Sequence, residues 1–571
     1  MRRQKSPHFF AFFCENICTV KIFVIHLHSQ KQRNGSVAQL NRVLDYGSSG
    51  SRFESWRSHE AAIRDDCRLF FVVCFSFCIF VKHTTPYIMR SRLTATIMAL
   101  ALLSCTTTPQ PTLYTQHVVF PEGATLDEKV SMISRLVPSE GQLRWQQLEL
   151  SAFIHFGMNT FTGSEWGSGK DSPELFNPTE LDCEQWVRTL KEGGFRLVIL
   201  TAKHHDGFCL WPTATTDYSV KQSPWREGKG DVVRELRDAC LKYDMKFGVY
   251  LSPWDRNAKS YGDSPTYNKL YIAQLTELLT QYGHIDEVWF DGACGEGENG
   301  RKQEYDWSAI LRCVEELQPH AVTAIMGDDI RWVGNEGGVG RETEWSATMI
   351  APGSYIDKVA ENRRLGLEEM SKDLGSRELL KEANEAYWYP SEVDVSIRPG
   401  WFYHSEEDGK VRSIENLVEI YYRSVGSNSV LLLNIPPDKR GLIHEIDAAR
   451  IKEFGTYIKQ TFAKSYIANL NKTWRATADE SREFEIKKGT TVNTLLLQED
   501  IAEGQRVESF MVECFEGGEW RELCMGTTIG YKRLLHFDDC HAERLRITIT
   551  QTRATANIRS VGLYYAEPIA K

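Results

Sequence analysis

Two acidic residues in this chain occupy positions from which a carboxyl group could act on a bound ligand. Asp291 ends the apolar and aromatic run 285–290 and is followed by glycine, which predicts a buried strand that delivers its last residue into a cavity. Glu336 follows Trp332 and is surrounded by glycines at 334, 337 and 338. Small neighbours allow close approach to a ligand, and an aromatic wall favours the protonated carboxyl that a general acid needs. The alternatives are a solvated aspartate and a flexible acidic loop that also carries Asp328, Asp329, Glu342 and Glu344.

Other strand-like runs also end in polar or ionisable residues. The runs 149–158, 195–208 and 246–254 alternate with helix-like segments at 182–194, 231–244 and 268–283. This alternation predicts a parallel sheet of the α/β class and, most simply, a TIM-like (β/α)8 barrel. The strand ends of such a barrel converge on one mouth. The residues expected there are His155, His204, His205, Tyr250 and Asp291.

The adjacent imidazoles of His204 and His205 raise the possibility of a zinc site. No HExxH motif or paired CxxC motif accompanies them, and neighbouring positions on a strand point to opposite sides. We therefore predict no metal and no cofactor, and hydrogen bonding to a ligand is the preferred role for both rings.

The composition changes after the barrel. From about Asn471, short alternating segments are separated by Gly, Asp and Glu turns, which predicts a β-sandwich over 470–571. This segment resembles galactose-binding or discoidin-like sandwiches. It could bind carbohydrate independently, but no aromatic platform is evident, so a stabilising cap on the barrel is favoured.

A series of motifs between about 140 and 460 resembles one known family. FIHFG, SEWG, TAKHHDGF, GVYLSPW, EVWFDG, WVGNEGG, DVSIRPGWFY and LLLNIPP occur in this order. Together they resemble glycoside hydrolase family 29, the retaining α-L-fucosidases. The resemblance implies an enzyme with Asp291 as nucleophile and Glu336 as acid/base, and the second role is shared only by one subgroup of the family.

The resemblance also implies a mechanism and a sugar pocket. A retaining glycosidase holds two carboxyl groups about 5 to 5.5 Å apart, one to attack the anomeric carbon and one to protonate the leaving oxygen. An apolar corner formed by Trp166 or Trp211 would favour the methyl group of fucose. The positions that match the family's fucose-binding residues are His155, Glu165, Trp166, His204, His205 and Tyr250.

The WVGNEGG and DVSIRPGWFYH motifs resemble the subgroup that acts on α-1,3- and α-1,4-linked fucose in branched, Lewis-type glycans. Recognition of the neighbouring galactose requires groups outside the fucose pocket. The candidates are Glu392, Asp394 and Trp401, with a buried late strand as the structural alternative. A broad-specificity fucosidase, or a non-catalytic fucose-binding protein on the same scaffold, are the other possibilities.

The N-terminal region differs in character from the rest. Residues 1–88 include a stretch that resembles a translated tRNA gene, which indicates an over-extended reading frame and a true start at Met89. Residues 89–105 then resemble a bacterial lipoprotein signal peptide whose lipobox ends at Cys105, followed by a tether over 106–137 and a barrel domain over 138–465. The apolar run 69–81 is an alternative membrane anchor but is short of the roughly 20 residues needed to span a bilayer.

Charge and cysteine content narrow the class of partner. The net charge of -10 argues against nucleic acid, and the cysteines lack the paired spacing of a disulfide framework. We expect fucosylated oligosaccharides or glycoconjugates as partners, with membrane contact only through the lipid. The expected location is the bacterial cell envelope, at the periplasm or the outer membrane.

Overall fold

The structure is a computed structural model that describes residues 115–352, 356–467 and 474–569, without the side chains of 356–358. The expected extension 1–88, the signal peptide and Cys105 lie outside these ranges. None of the helices in the described ranges has an apolar stretch of the length needed to span a membrane.

Eleven strands lie between residues 117 and 434, and eight of them form one parallel sheet. The spatial order of the eight is β6-β5-β4-β3-β2-β11-β10-β7. A parallel bridge between Ala324 and Ile330 joins the two edges, which closes the sheet into the expected barrel. In chain order the eleven strands are β1 (His117–Val119), β2 (Leu150–Ile154), β3 (Leu197–Lys203), β4 (Lys246–Leu251), β5 (Glu287–Phe290), β6 (Val322–Ile325), β7 (Arg331–Trp332), β8 (Ala347–Thr348), β9 (Glu385–Trp388), β10 (Ser391–Ser396) and β11 (Val430–Asn434).

Helices cover the outside of the barrel, as their sequence patterns predict. Helices α4 and α5 begin with aspartate caps, because the side chains of Asp182 and Asp231 accept hydrogen bonds from backbone N–H groups of the first turn. The helices are α1 (Leu126–Ile133), α2 (Glu140–Gln146), α3 (Met158–Thr162), α4 (Cys183–Glu192), α5 (Val232–Tyr243), α6 (Ser264–Gln281), α7 (Trp307–Leu317), α8 (Ile356–Arg364), α9 (Arg377–Glu382), α10 (Ile414–Arg423) and α11 (Glu445–Thr461).

Strand alternation sorts the side chains between two cores. On β5, Val288 and Phe290 pack in the core between strands and helices, whereas Trp289 packs in a second core inside the barrel. Because side chains alternate along a strand, Glu287 and Asp291 share the inward side with Trp289. Asp291 is the next residue after the strand ends, so its side chain meets the open mouth.

The passage from β6 to β7 departs from the strand-helix alternation. Only residues 326–330 separate the two strands, and no helix lies between them. Ile325 takes a left-handed φ of 60°, which is strained for a β-branched residue and turns the chain sharply at the mouth. Strand β7 pairs with β10 over only Arg331 and Trp332, and the segment that carries Glu336 begins directly after it.

Part of the segment expected to be a tether has regular structure. Strand β1 pairs antiparallel with β9, and β9 pairs with β8. Helix α1 begins with a capping box formed by Thr125 and Glu128. These elements are too short to give a clear apolar periodicity, which explains why the sequence suggested a tether over 106–137.

The C-terminal segment forms two four-stranded antiparallel sheets, as expected for a sandwich. Their inward residues alternate along the strands, as Leu545, Ile547 and Ile549 do, and build a separate core. One sheet has the order β12-β19-β14-β17 and the other β13-β18-β15-β16. The strands are β12 (Trp474–Ala476), β13 (Glu480–Glu485), β14 (Val492–Glu499), β15 (Val507–Glu516), β16 (Glu519–Gly526), β17 (Arg533–Cys540), β18 (Arg544–Thr552) and β19 (Ala556–Tyr564).

Candidate active site

Asp291 lies at the mouth of the barrel with both carboxylate oxygens oriented by neighbours. The Tyr250 hydroxyl donates to Oδ2 at 2.9 Å, and the Ala293 backbone N–H donates to Oδ1 at 2.7 Å. The side chain is 24% exposed, so it remains open to a ligand. Tyr250 is fully buried and stacks on Trp289, with ring centroids 5.4 Å apart. A rigid phenol therefore holds the carboxylate in a fixed orientation.

Three histidine rings surround this carboxylate. The centroids of His155 and His204 lie 5.5 Å apart and those of His204 and His205 4.1 Å apart, and Nε2 of His205 is 3.8 Å from Oδ2 of Asp291. Strand β3 ends at Lys203, so the alternation of sides expected for the adjacent histidines does not apply to them. Burial lowers the pKa of all three rings, that of His155 to about 3, which keeps them neutral near pH 7.

The hydrogen bonds to Asn434 fix which nitrogen of His155 carries the proton. Asn434 Nδ2 donates to the Ser396 hydroxyl and to the Trp401 carbonyl, which leaves Oδ1 as the acceptor for Nδ1–H of His155 at 2.9 Å. Nε2 of the neutral ring is therefore an acceptor.

The other two rings can be assigned in the same way. Asn159 Nδ2 points at Nδ1 of His204 across 3.3 Å, so Nε2 of that ring carries the proton and is a donor. The Ser252 hydroxyl donates to the Trp254 carbonyl and accepts from Nδ1–H of His205 at 2.7 Å, which leaves Nε2 of His205 as an acceptor. A buried site with alternating donors and acceptors is suited to the hydroxyl groups of a sugar, because each hydroxyl can donate and accept.

A loop after β10 covers the opposite side of the mouth. Its Trp401 ring lies 5.0 Å from the His155 ring, and its indole N–H donates to Oε2 of Glu336 at 3.3 Å. Glu165 holds this loop, because its carboxylate accepts from the Trp401 backbone N–H at 2.8 Å and from Nε2 of His404 at 2.7 Å. The position of Glu165 at the site therefore includes a structural bond to the loop.

Glu336 itself is exposed, and Asp394 lies beneath it. The Trp332 indole N–H donates to Oδ1 of Asp394 at 2.7 Å, whereas the indole that bonds to Glu336 is that of Trp401. The pKa of Asp394 is raised to about 7, mainly because the carboxyl group is buried and to a lesser extent because Glu336 and Asp291 are negatively charged neighbours. Three carboxyl groups, those of Asp291, Glu336 and Asp394, thus face one mouth.

Two expected site residues lie elsewhere. Trp211 is 1% exposed and donates its indole N–H to Glu277 on α6, within the core between strands and helices, so it cannot line a sugar pocket at the mouth. Glu392 has no exposed surface and accepts from the Trp289 indole inside the barrel. It occupies the inward position two residues before Asp394, one layer below the mouth. In this arrangement Trp211 cannot contact the methyl group of fucose, and Glu392 cannot contact a neighbouring galactose.

Trp166 remains at the site as an exposed aromatic wall. Its side chain is 58% exposed and meets the Trp254 ring edge to face at a centroid distance of 5.6 Å. The Trp254 ring in turn lies 5.2 Å from His205. This pair offers an apolar surface next to the imidazoles, the environment expected around the methyl group of fucose.

Sequence reasoning missed the residues that orient the histidines. Asn434 ends β11 as His155 follows β2, so the rule applied to the earlier strands could also have found it. Asn159 lies in the short helix α3, which has no strand-end signal to mark it.

This mouth is suited to glycoside hydrolysis, which needs two carboxyl groups that face the bond to be cleaved. The chain matches the family Alpha-L-fucosidase over residues 134–461, and it belongs to the α-L-fucosidases of glycoside hydrolase family 29.

Relatives and solved structures support this assignment. Alpha-L-fucosidase 1 of Arabidopsis thaliana is 41% identical over 463 residues, which cover 75% of this chain and 87% of the relative. A crystal structure of a candidate alpha-L-fucosidase from Bacteroides ovatus ATCC 8483 is 62% identical, with a TM-score of 0.79. The match covers 80% of this chain and 79% of the Bacteroides ovatus chain. The structure of a Ruminococcus gnavus family 29 fucosidase in complex with fucose is 30% identical, with a TM-score of 0.66. The match covers 76% of this chain and 95% of the Ruminococcus gnavus chain.

Proposed function

We propose that this α-L-fucosidase releases α-1,3- and α-1,4-linked fucose from branched, Lewis-type glycans by double displacement. The observation that carries the mechanism is the placement of Asp291 and Glu336 at one barrel mouth, the first held by Tyr250 and the second by Trp401. Asp291 is the nucleophile and Glu336 the acid/base. Retention of configuration follows from two successive inversions at the anomeric carbon.

In the first step, an oxygen of Asp291 forms a bond to the anomeric carbon of fucose as the bond to the leaving oxygen breaks. Glu336 gives its proton to that oxygen, and a covalent fucosyl ester remains on Asp291. In the second step, the Glu336 carboxylate takes a proton from water while the water oxygen attacks the anomeric carbon, and the bond between that carbon and Asp291 breaks. Fucose is released, and both residues return to their starting protonation states.

The linkage proposal is supported by the motifs around Glu336 and by the groups that flank it. Trp401 and Asp394 lie on the same side of the mouth as Glu336, where the leaving sugar must sit if Glu336 protonates its oxygen. A branched substrate places galactose there beside the fucose. Binding energy from the galactose would be realised in the transition state, so its loss lowers kcat/KM and does not merely raise KM.

A comparison of substrates tests the linkage. We expect efficient release of fucose from Lewis a and Lewis x trisaccharides and little from 2'-fucosyllactose, which lacks the branch. Comparable kcat/KM values on all three would reject the linkage and indicate a broad-specificity fucosidase. If the Trp401 indole contacts the galactose, Trp401→Phe should reduce the difference in kcat/KM between the branched and the unbranched substrates.

We also propose that Cys105 carries lipid and anchors the enzyme in the bacterial cell envelope. The basic start and apolar core of residues 89–105, followed by LLSC, support this. The chain expressed from Met89 in a Gram-negative host should label with palmitate and partition with membranes, and Cys105→Ala should do neither. Equal labelling of the two would reject the anchor.

A further inference from the structure

The loop that carries Glu336 has little regular structure of its own. Between β7 and β8, residues 333–346 contain glycines at 334, 337, 338 and 340, and Gly334 and Gly338 have φ values of 100° and 75°. Glycine imposes few restrictions on the backbone, so the position of this loop depends on what anchors it.

One anchor lies within the barrel domain. Arg341 donates to the Val333 carbonyl at the start of the loop at 3.1 Å and to the Glu344 carboxylate near its end at 3.2 Å. Glu344 is 1% exposed and also pairs with Arg331, the first residue of β7. Three charged side chains therefore tie the two ends of the loop together.

The second anchor comes from the sandwich. The hydroxyl of Thr528, in the connection between β16 and β17, accepts from the Glu344 backbone N–H at 3.1 Å and donates to the Glu344 carbonyl at 3.0 Å. Thr527 donates to the Glu342 carbonyl at 3.0 Å, and Arg533 donates to the same oxygen at 2.6 Å.

Gln505, from the connection before β15, extends the contact. Its side chain accepts from the Ser346 backbone N–H at 2.7 Å and donates to the Glu344 carbonyl at 2.9 Å. Thr528, Gln505 and Glu344 are each 1% exposed. Backbone groups of Glu344 and Ser346 are thus bonded to sandwich side chains away from water, where an unmade hydrogen bond is costly.

We propose that the C-terminal β-sandwich positions the acid/base loop, so that proton transfer by Glu336 depends on a domain that contributes no residue to the sugar pocket described above. The sandwich is then part of the catalytic architecture as well as a cap. This proposal rests on the acid/base role of Glu336, and Thr528 is a positioning residue. Misplacement of a catalytic group by about 1 Å can cost up to about 100-fold in rate.

Thr528→Val tests the proposal because it removes the hydroxyl and keeps the shape. We expect kcat/KM on a Lewis-type trisaccharide, whose leaving group needs a proton, to fall by about tenfold. Fucosyl fluoride and 2,4-dinitrophenyl fucoside need little or no protonation, so their kcat/KM, which reports formation of the intermediate, should stay within about twofold of the wild-type value. Thr528→Ser keeps the hydroxyl and should restore the trisaccharide rate.

A matched control removes a sandwich contact that does not touch the loop. The Tyr531 hydroxyl donates to Glu149 at 3.2 Å, before the start of β2, so Tyr531→Phe also removes one interdomain hydrogen bond. It should leave both substrate classes unchanged. Should Thr528→Val fail to fold, the more exposed Thr527→Val provides the same test, with a smaller loss of the same kind.

A double-mutant cycle separates this proposal from the proposed function. If Glu336 is the acid/base, Glu336→Ala should lower kcat/KM more on the trisaccharide than on the activated fucosides. Adding Thr528→Val to this variant should then cause no further loss that is specific to the trisaccharide. Equal losses of Glu336→Ala on both substrate classes would reject the role of Glu336. Selective loss in Glu336→Ala, with a wild-type-like or non-selective response in folded Thr528→Val or Thr527→Val, would overturn the positioning role alone.

Discussion

The two carboxyl groups that we propose as catalytic are held in contrasting ways. Asp291 follows a buried strand of the barrel, and its contacts come from Tyr250 on the neighbouring strand and from the backbone two residues ahead. Glu336 is exposed on a glycine-rich loop whose anchors come from charged side chains and from another domain. A nucleophile that must attack along a fixed line benefits from a rigid strand end. An acid/base group that must serve first the leaving oxygen and then water can occupy a more adaptable position.

The largest effect should follow removal of the carboxylate proposed as the nucleophile. Asp291→Ala should lower turnover by at least about 10⁴-fold on every substrate, because no covalent intermediate can form. The rates should be measured on trisaccharide and aryl fucoside together, with Tm as a check on folding. Azide should rescue part of the activity with inverted product, and near-wild-type turnover would contradict the role of Asp291.

Removal of the carboxyl group proposed as the acid/base should give a smaller loss of activity that depends on the leaving group. We expect Glu336→Ala to slow trisaccharide hydrolysis by about 10²- to 10⁴-fold and to affect formation of the intermediate from an activated fucoside far less. The pH profile of the variant should lose one limb. Equal losses on both substrates would point to another carboxyl, and Asp394→Asn is then the variant to compare.

Removal of the Tyr250 hydroxyl should lower activity to a similar degree on substrates with good and with poor leaving groups. Tyr250→Phe removes the hydrogen bond to Oδ2 of Asp291, and bonds to charged groups contribute about 1.5 to 3 kcal/mol. We expect kcat/KM to fall by about tenfold or more on good and poor leaving groups alike. A loss confined to poor leaving groups would show that Tyr250 acts on the acid/base side instead.

The smallest expected effect is on the pH dependence of stability, and it arises from a pair of carboxyl groups inside the barrel. Glu287 and Glu392 are fully buried, each accepts one indole N–H, and burial raises the pKa of both. The folded state therefore holds protons that the unfolded chain releases, so stability falls as pH rises above the ordinary glutamate pKa.

Glu392→Gln should reduce this dependence, because the amide cannot ionise. The variant should gain about 2 °C in Tm relative to the wild type as the pH rises from about 5 to 8. Melting temperatures across this range provide the measurement, and Glu315→Gln, an exposed site on α7, is the control. A Tm difference that does not change with pH would contradict the proposal that this carboxyl pair takes up protons on folding.

The sequence by itself indicated the barrel and the sandwich, and it predicts Asp291 as the nucleophile. Apolar runs that end in His155, Tyr250 and Asp291 report strand ends directly, because alternation along a strand and convergence of parallel strands are local and regular properties. The motif series then identified the family, which the comparisons confirm.

Only the tertiary structure decided which side chains reach the mouth and how they are oriented. Trp211 and Glu392 have suitable chemistry, but a buried contact with α6 takes up one and an inner layer of the barrel encloses the other. The proton positions on the histidines depend on Asn159, Ser252 and Asn434, which come from separate parts of the chain. Contacts between residues distant in sequence leave no periodic signal, so the dependence of Glu336 on the sandwich could be found only in the folded molecule.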